Sequence, residues 1–136
     1  MGEYGKPLPR GEGYHGDFYR FCKQHELRFQ RCADCQAWRH PPRECCPHCG
    51  AFAWRWEQVS GKGQVYSWTV VQRALHPAFA EDVPYAVVIV ELAEGVRLVS
   101  RVLDLPPQEL RLGLPVEVVF VDVTPEVTLP MFRPCR

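Results

Sequence analysis

Apolar side chains recur along this chain with two periods, and the change between them divides it. From residue 14 to 26, Tyr14, Phe18, Phe21, Cys22 and His25 fall at steps of three and four, the spacing of one helix face. Asp17 stands where it can cap the start of that helix. The period then drops to two. Leu27-Arg-Phe-Gln-Arg31 and Ala53-Trp-Arg-Trp-Glu-Gln-Val59 alternate, as strands with one covered face do. Five further stretches, 64–72, 85–92, 96–102, 116–123 and 127–132, read as strands rich in β-branched and aromatic residues. Residues 85–92 (YAVVIVEL) are almost continuously apolar, and in 96–102 Arg97 and Arg101 face away from Leu98. Between the third and fourth of these strands, Pro106-Pro107 restricts residues 104–110 to one helical turn at most. Five strands with a small helical insertion at that place match an OB-type barrel, a partly open Greek key. A five-stranded sandwich is the alternative, with more unpaired edge. The expected fold class is mainly β: a short N-terminal helix, a ribbon, then a five-stranded OB-fold barrel.

Glycine and proline mark the connections. Residues 1–13 (MGEYGKPLPRGEG) read as a flexible arm, and Ser60-Gly-Lys-Gly63 as a hinge between two units. The expected division is arm 1–13, helix and ribbon 14–60, barrel 61–136. The two glycines of the hinge lack the strand–turn–helix context of a phosphate loop, so no nucleotide role follows. The longest connection, 73–84, joins the first two barrel strands and carries Arg73, His76, Phe79, Glu81 and Asp82. In an OB barrel such a loop lies beside the ligand face. An apolar tip at Phe79 is its clearest sign of insertion into something else.

The chemistry concentrates between residues 31 and 50, RCADCQAWRHPPRECCPHCG. Cys32-Ala-Asp-Cys35 and Cys46-Pro-His-Cys49-Gly are two CxxC pairs ten residues apart. Each pair presents two sulfurs on one tight turn, and two such turns enclose a tetrahedral zinc. Cys45 leaves a CxxxC pairing with Cys49 open, although Cys46-Pro-His-Cys49-Gly has the better knuckle chemistry. Gln36 occupies the place in the first knuckle where glycine would most readily turn left-handed. Four cysteines complete the sphere, so His40 and His48 read as surface histidines and the zinc as structural. Of the remaining thiols, Cys22 lies on the apolar helix stripe and reads as buried and inert. Cys135 reads as exposed, with no base near it in sequence.

Composition narrows the function classes. Apolar residues are 46% of the 136, enough for a core. No apolar run reaches spanning length, so no membrane association is expected. The seven cysteines and the lack of a charged-then-apolar opening point to a reducing, cytoplasmic setting. Formal charge is zero, with ten Lys/Arg against seven Asp/Glu in residues 1–62 and six against nine in residues 63–136. Trp54 and Trp56 could stack on bases, but an acidic barrel is a poor match for a phosphate backbone. A single-stranded nucleic-acid binder is therefore the weaker alternative. No GxSxG, HExxH or Walker sequence occurs, and no catalytic set is expected.

The ordered pieces SGKG-x-VYSWTVV, PYAVVIVELAEGVRLVSRV, GLPVEVVF and LPMFRP, following the helix and the CxxC…CPxCG ribbon, resemble the DUF35 proteins. These are also called acyl-CoA-associated zinc-ribbon/OB-fold proteins. The resemblance covers residues 18–134; Gln36 and Cys45 depart from the family's usual pattern. It implies a rubredoxin-like zinc ribbon with an OB fold, and a non-catalytic partner of thiolase-superfamily enzymes that handle acyl-CoA thioesters. Such partners include thiolases, acyltransferases, synthases and steroid side-chain aldolases. A hetero-oligomer is implied, with acyl-CoA reached through the complex. On this reading the surfaces expected to meet partner or CoA are Phe18 and Phe21 on the helix, Arg28, Arg31, Arg39 and Arg43 on the ribbon, and Arg73, His76 and Phe79 on the long loop.

Overall fold

A computed structural model describes residues 4–135. Its elements follow the order helix α1 (Gly13–Lys23), ribbon strands β1 (Arg28–Cys32), β2 (Trp38–Arg39) and β3 (Trp54–Gln58), then β4 (Lys62–Val71), β5 (Tyr85–Leu92), β6 (Arg97–Ser100), β7 (Pro115–Asp122) and β8 (Thr128–Pro134). The expected helix and all five barrel strands are present. Asp17 does not cap α1, which begins four residues earlier behind Glu12 and makes no side-chain cap hydrogen bond. Asp17 pairs instead with Arg20, one turn on. The long loop folds a short 3₁₀ turn at Pro77–Phe79, and a second at Pro107–Glu109 supplies the insertion before β7.

The ribbon is a three-stranded antiparallel sheet in the order β2-β1-β3. The second sheet runs β6-β5-β4-β7-β8, all antiparallel. Its two edge strands meet through a parallel bridge between Val102 and Phe132. The Phe132 amide donates to the Arg101 carbonyl at 2.9 Å, and the Leu103 amide to the Phe132 carbonyl at 2.6 Å. This closes the sheet into a curled OB barrel. β4 pairs with β7 only over Lys62–Gln64, so the other side of the barrel stays open. Alternation sorts the side chains: Ala86, Val88, Val90 and Leu92 of β5 point inward and are buried. They meet Val65, Val116 and Phe132 there.

Helix α1 joins the two sheets. Tyr14 meets Trp54 edge-on at 5.2 Å, Phe21 meets Trp56 at 5.5 Å, and Phe18 packs on Phe29 at 5.7 Å. Trp54 and Trp56 lie against each other at 5.2 Å, so they share a face as their spacing requires. Beyond the helix, His25 stacks on Phe120 of β7 at 5.2 Å. One hydrophobic core therefore runs from Phe18 and Leu27 through to Val116 and Phe132.

The segment 60–63 is no loose hinge. The Ser60 amide donates to Glu94 at 2.9 Å, and the Val118 amide to the Gly61 carbonyl at 2.8 Å. Gly63 is already in β4, and a Cβ there would stand 2.4 Å from the Glu91 carbonyl oxygen. Close strand approach, not flexibility, explains that glycine. The arm is also attached in part: Lys6 pairs with Asp82 at 3.0 Å and lies over the Phe79 ring. Residues 1–3 of the expected arm lie outside the described residues.

Candidate metal centre and the faces around it

Two similar turns build the centre. In the first, the Cys32 amide donates to the Ala37 carbonyl at 2.8 Å and the Gln36 amide to the Cys32 carbonyl at 3.1 Å. In the second, Cys46 and Ala51, then Gly50 and Cys46, make the same two bonds at 2.9 Å each. The Cys35 amide points at Cys32 Sγ and the His48 amide at Cys46 Sγ, both at 3.4 Å. The turns leave through left-handed residues, Gly50 at φ 77° and Gln36 at φ 67°. Glycine adopts this freely. Gln36 is held there by bonds from its own amide to the Ala33 carbonyl and from Arg55 to its side-chain oxygen.

The sulfurs of Cys32, Cys35, Cys46 and Cys49 all lie within 4.8 Å of one another. The pairs Cys32–Cys49 and Cys35–Cys46 are separated by 3.6 Å, too far for a disulfide. A tetrahedral zinc with bonds of about 2.3 Å sets its sulfurs about 3.8 Å apart, so the group fits one ion. Cys46, and not the exposed Cys45, supplies the fourth sulfur. Amide donors from Cys49 and His48 pull the Cys46 thiol down to about 6, and those of Cys35 and Asp34 pull Cys32 down as well. The Cys35 and Cys49 thiols shift upward instead, through burial and contact with the neighbouring sulfurs, so the turns favour the thiolate at Cys32 and Cys46 and a bound metal would displace the protons of the other two. Four sulfur ligands leave no open position for substrate.

The other expected residues do not form one site. Phe18, 2% exposed, belongs to the core, because helix and ribbon close over it. Phe21 is half-buried against Trp56. Arg39, 5% exposed, bonds Gln30 at 3.0 Å and the Arg43 carbonyl at 3.1 Å, so it holds the ribbon together and reaches no surface. Arg28 is tied to Glu26 and lies over Phe21. Arg31 bonds Glu57 at 2.6 Å and lies over Trp38. With Arg55, it holds Glu57 below the usual carboxylate range. Arg43 and Arg73 are exposed. His76 caps the 3₁₀ turn by accepting from the Ala78 amide at 3.0 Å. Phe79 is half-buried against Tyr85, and Leu75, 93% exposed, is the projecting apolar residue of that loop. Alternation cannot locate it, since a loop has no period.

His40 is not a surface histidine. It sits between Phe18 at 5.0 Å and Phe29 at 4.9 Å. Burial, with a smaller push from nearby His15, lowers its pKa to about 4. It lines a cleft of about 460 Å³ with Tyr19 and Pro41 on one wall and Val99, Leu129 and Met131 on the other. No local sequence pattern locates this cleft, because its walls come from four separate segments: α1, the turn after β2, β6 and β8. Cys22 behaves as expected: it is fully buried, and burial pushes its thiol up to about 12.

The ribbon matches the ChsH2 rubredoxin-like zinc ribbon family model over residues 21–55, and the barrel the ChsH2 C-terminal OB-fold model over 56–121. The chain belongs to the DUF35 family. It is 34% identical over 105 residues to a DUF35 domain-containing scaffold protein of Methanothermobacter thermautotrophicus, covering 76% of this chain and 78% of that one. It is 43% identical over 95% of its length to a probable enoyl-CoA hydratase alpha subunit of Thermomonospora curvata, but spans only 40% of that protein. Among solved structures it is similar to a chain described as "Ltp2-ChsH2(DUF35) aldolase", at 43% identity and a TM-score of 0.80, covering 95% of this chain and 98% of that one. A DUF35 protein of unknown function from Sulfolobus solfataricus shares the fold at 12% identity and a TM-score of 0.60.

Proposed function

We infer that this chain is a non-catalytic accessory subunit that docks on a thiolase-like enzyme and supports its handling of an acyl-CoA thioester. The observation that carries this reading is the likeness, over nearly all of both chains, to the DUF35 component named in an aldolase assembly with Ltp2. The closed metal centre agrees with it. Four thiolates hold one zinc as a clamp on the ribbon and offer no site for a substrate. Relatives named as hydratase alpha subunits, from Thermomonospora curvata and Mycobacterium tuberculosis, carry the same kind of unit within longer chains. Their names point to CoA thioesters as the substrate class, reached through the partner. The working complex is a hetero-oligomer, and the free thiols suit the cytoplasm. The arm, ribbon and barrel act as one docking body, with Arg43, Arg73 and His76 at its exposed margins.

The test is co-purification with Ltp2 and assay of aldolase activity with and without this chain. A stable complex and a gain in activity are expected. No complex, with aldolase activity unchanged, removes this reading.

A further inference from the structure

The outer face of strands β4, β5 and β6 carries a band of apolar side chains between polar Ser67 and Thr69 of β4 and the arginines Arg97 and Arg101. Val87 and Ile89 of β5 point outward, opposite the buried Val88 and Val90. Ile89 pairs with Val99 of β6, which is 62% exposed. On the other side Ile89 pairs with Ser67, beside the bulge at Tyr66. Tyr66 is 43% exposed and carries Arg97 over its ring at 3.8 Å. Val99 then continues into the cleft walled by Leu129 and Met131. Residues 85–92 read as nearly continuous apolar sequence because Val87 and Ile89 are apolar on the outer face as well, although burial alternates along the strand.

The charges on this face decide what covers it. Arg97 is matched by Glu91 at 3.1 Å. Arg101 lies over the Tyr85 ring at 5.8 Å and has no carboxylate partner among the described residues. No Asp or Glu lines the cleft, and His40 within it is neutral at physiological pH. A second copy packed face to face would set arginine against arginine. The apolar area crosses three strands as well as the cleft, which is wider than one bound cofactor requires.

We propose that the outer β4–β5–β6 face, with the adjoining cleft, is the docking surface for the thiolase-like enzyme, and that it receives an apolar segment of that enzyme with a carboxylate placed against Arg101. This rests on the accessory-subunit reading and moves the contact away from the helix and ribbon arginines. Apolar burial supplies the affinity, and the Arg101 pair fixes the register.

The experiment compares binding of Ltp2 by wild type, Val99→Glu, Arg101→Glu, Phe52→Glu and Leu75→Glu, by titration calorimetry at physiological salt. All four positions are exposed; Phe52 lies on the ribbon, and Leu75 on the long loop outside strands β4, β5 and β6. Melting temperature and zinc content confirm that each variant is folded. At least a tenfold loss of affinity is expected for Val99→Glu and Arg101→Glu, with Phe52→Glu and Leu75→Glu within threefold of wild type. Wild-type affinity in the first two overturns the face while leaving the accessory-subunit reading intact. No wild-type complex overturns both. Self-association of the free chain abolished by Val99→Glu would assign the face to a second copy and overturn the proposal. So would binding of a CoA thioester to the free chain that Arg101→Glu removes.

Discussion

Single residues decide whether the ribbon holds its metal. Cys45 and Cys46 are neighbours, but only the Cys46 sulfur joins Cys32, Cys35 and Cys49. Cys46→Ser is expected to lose zinc and unfold the ribbon, since such sites supply roughly 10 kcal/mol or more of folding free energy. Cys45→Ser is expected to keep one zinc per chain. Metal analysis of the two purified variants checks this, and full zinc in Cys46→Ser would refute the ligand assignment. Gln36 allows a finer test. Its left-handed backbone is strained for a residue with a Cβ, and two side-chain hydrogen bonds offset that strain. Gln36→Ala keeps the strain and removes both bonds, so a loss of about 1 kcal/mol is expected. Gln36→Gly removes the strain as well and should recover most of it. Urea unfolding with zinc in excess measures the order.

At the scale of elements, α1 is the staple between ribbon and barrel. Its stripe places Phe18 in the core and Tyr14 and Phe21 against Trp54 and Trp56. Phe18→Ala is expected to destabilise the chain by about 3–5 kcal/mol, with zinc retained in the folded protein; a shift under 1 kcal/mol would mean the helix is dispensable. Gly63→Ala forces a methyl against the Glu91 carbonyl and should weaken the β4–β5 pairing by about 1–3 kcal/mol. These elements were legible because their signals are local. Period identified the helix and β5, and the CxxC spacing identified the sulfurs. What was not legible depends on elements meeting. Asp17 looks like a cap until the arm folds back over Gly16, where a Cβ would stand 2.5 Å from the Gly11 carbonyl, and the helix already starts at Gly13. Gly61 and Gly63 look like a hinge until Val118 and Glu91 are brought beside them. Arg39 looks like a surface cation until Gln30 and the Arg43 carbonyl close over it. Phe18 and the cleft residues were misplaced or missed for the same reason.

For the whole molecule, the junction of helix, ribbon and barrel gives stability a particular pH dependence. His40 sits there with its pKa lowered to about 4, from an unfolded value of about 6.5. Between these values the unfolded chain binds a proton that the folded chain does not. Stability therefore falls as pH drops from about 6.5 toward 4, and the His40 contribution is fully present above that window. The full shift corresponds to about 3 kcal/mol; because His40 is only half-buried, a change of about 1–2 kcal/mol is expected. Acid also protonates the zinc thiolates, so the test must separate the two. His40→Gln lacks the titrating group but keeps all four cysteines, and metal loss then affects both proteins alike. The stability advantage of wild type over His40→Gln, measured by urea unfolding at pH 7.5, 6 and 5 with excess zinc, should shrink as pH falls. A constant difference across that range would mean His40 is hydrated in the folded chain and the junction is looser than its packing against Phe18 and Phe29 implies.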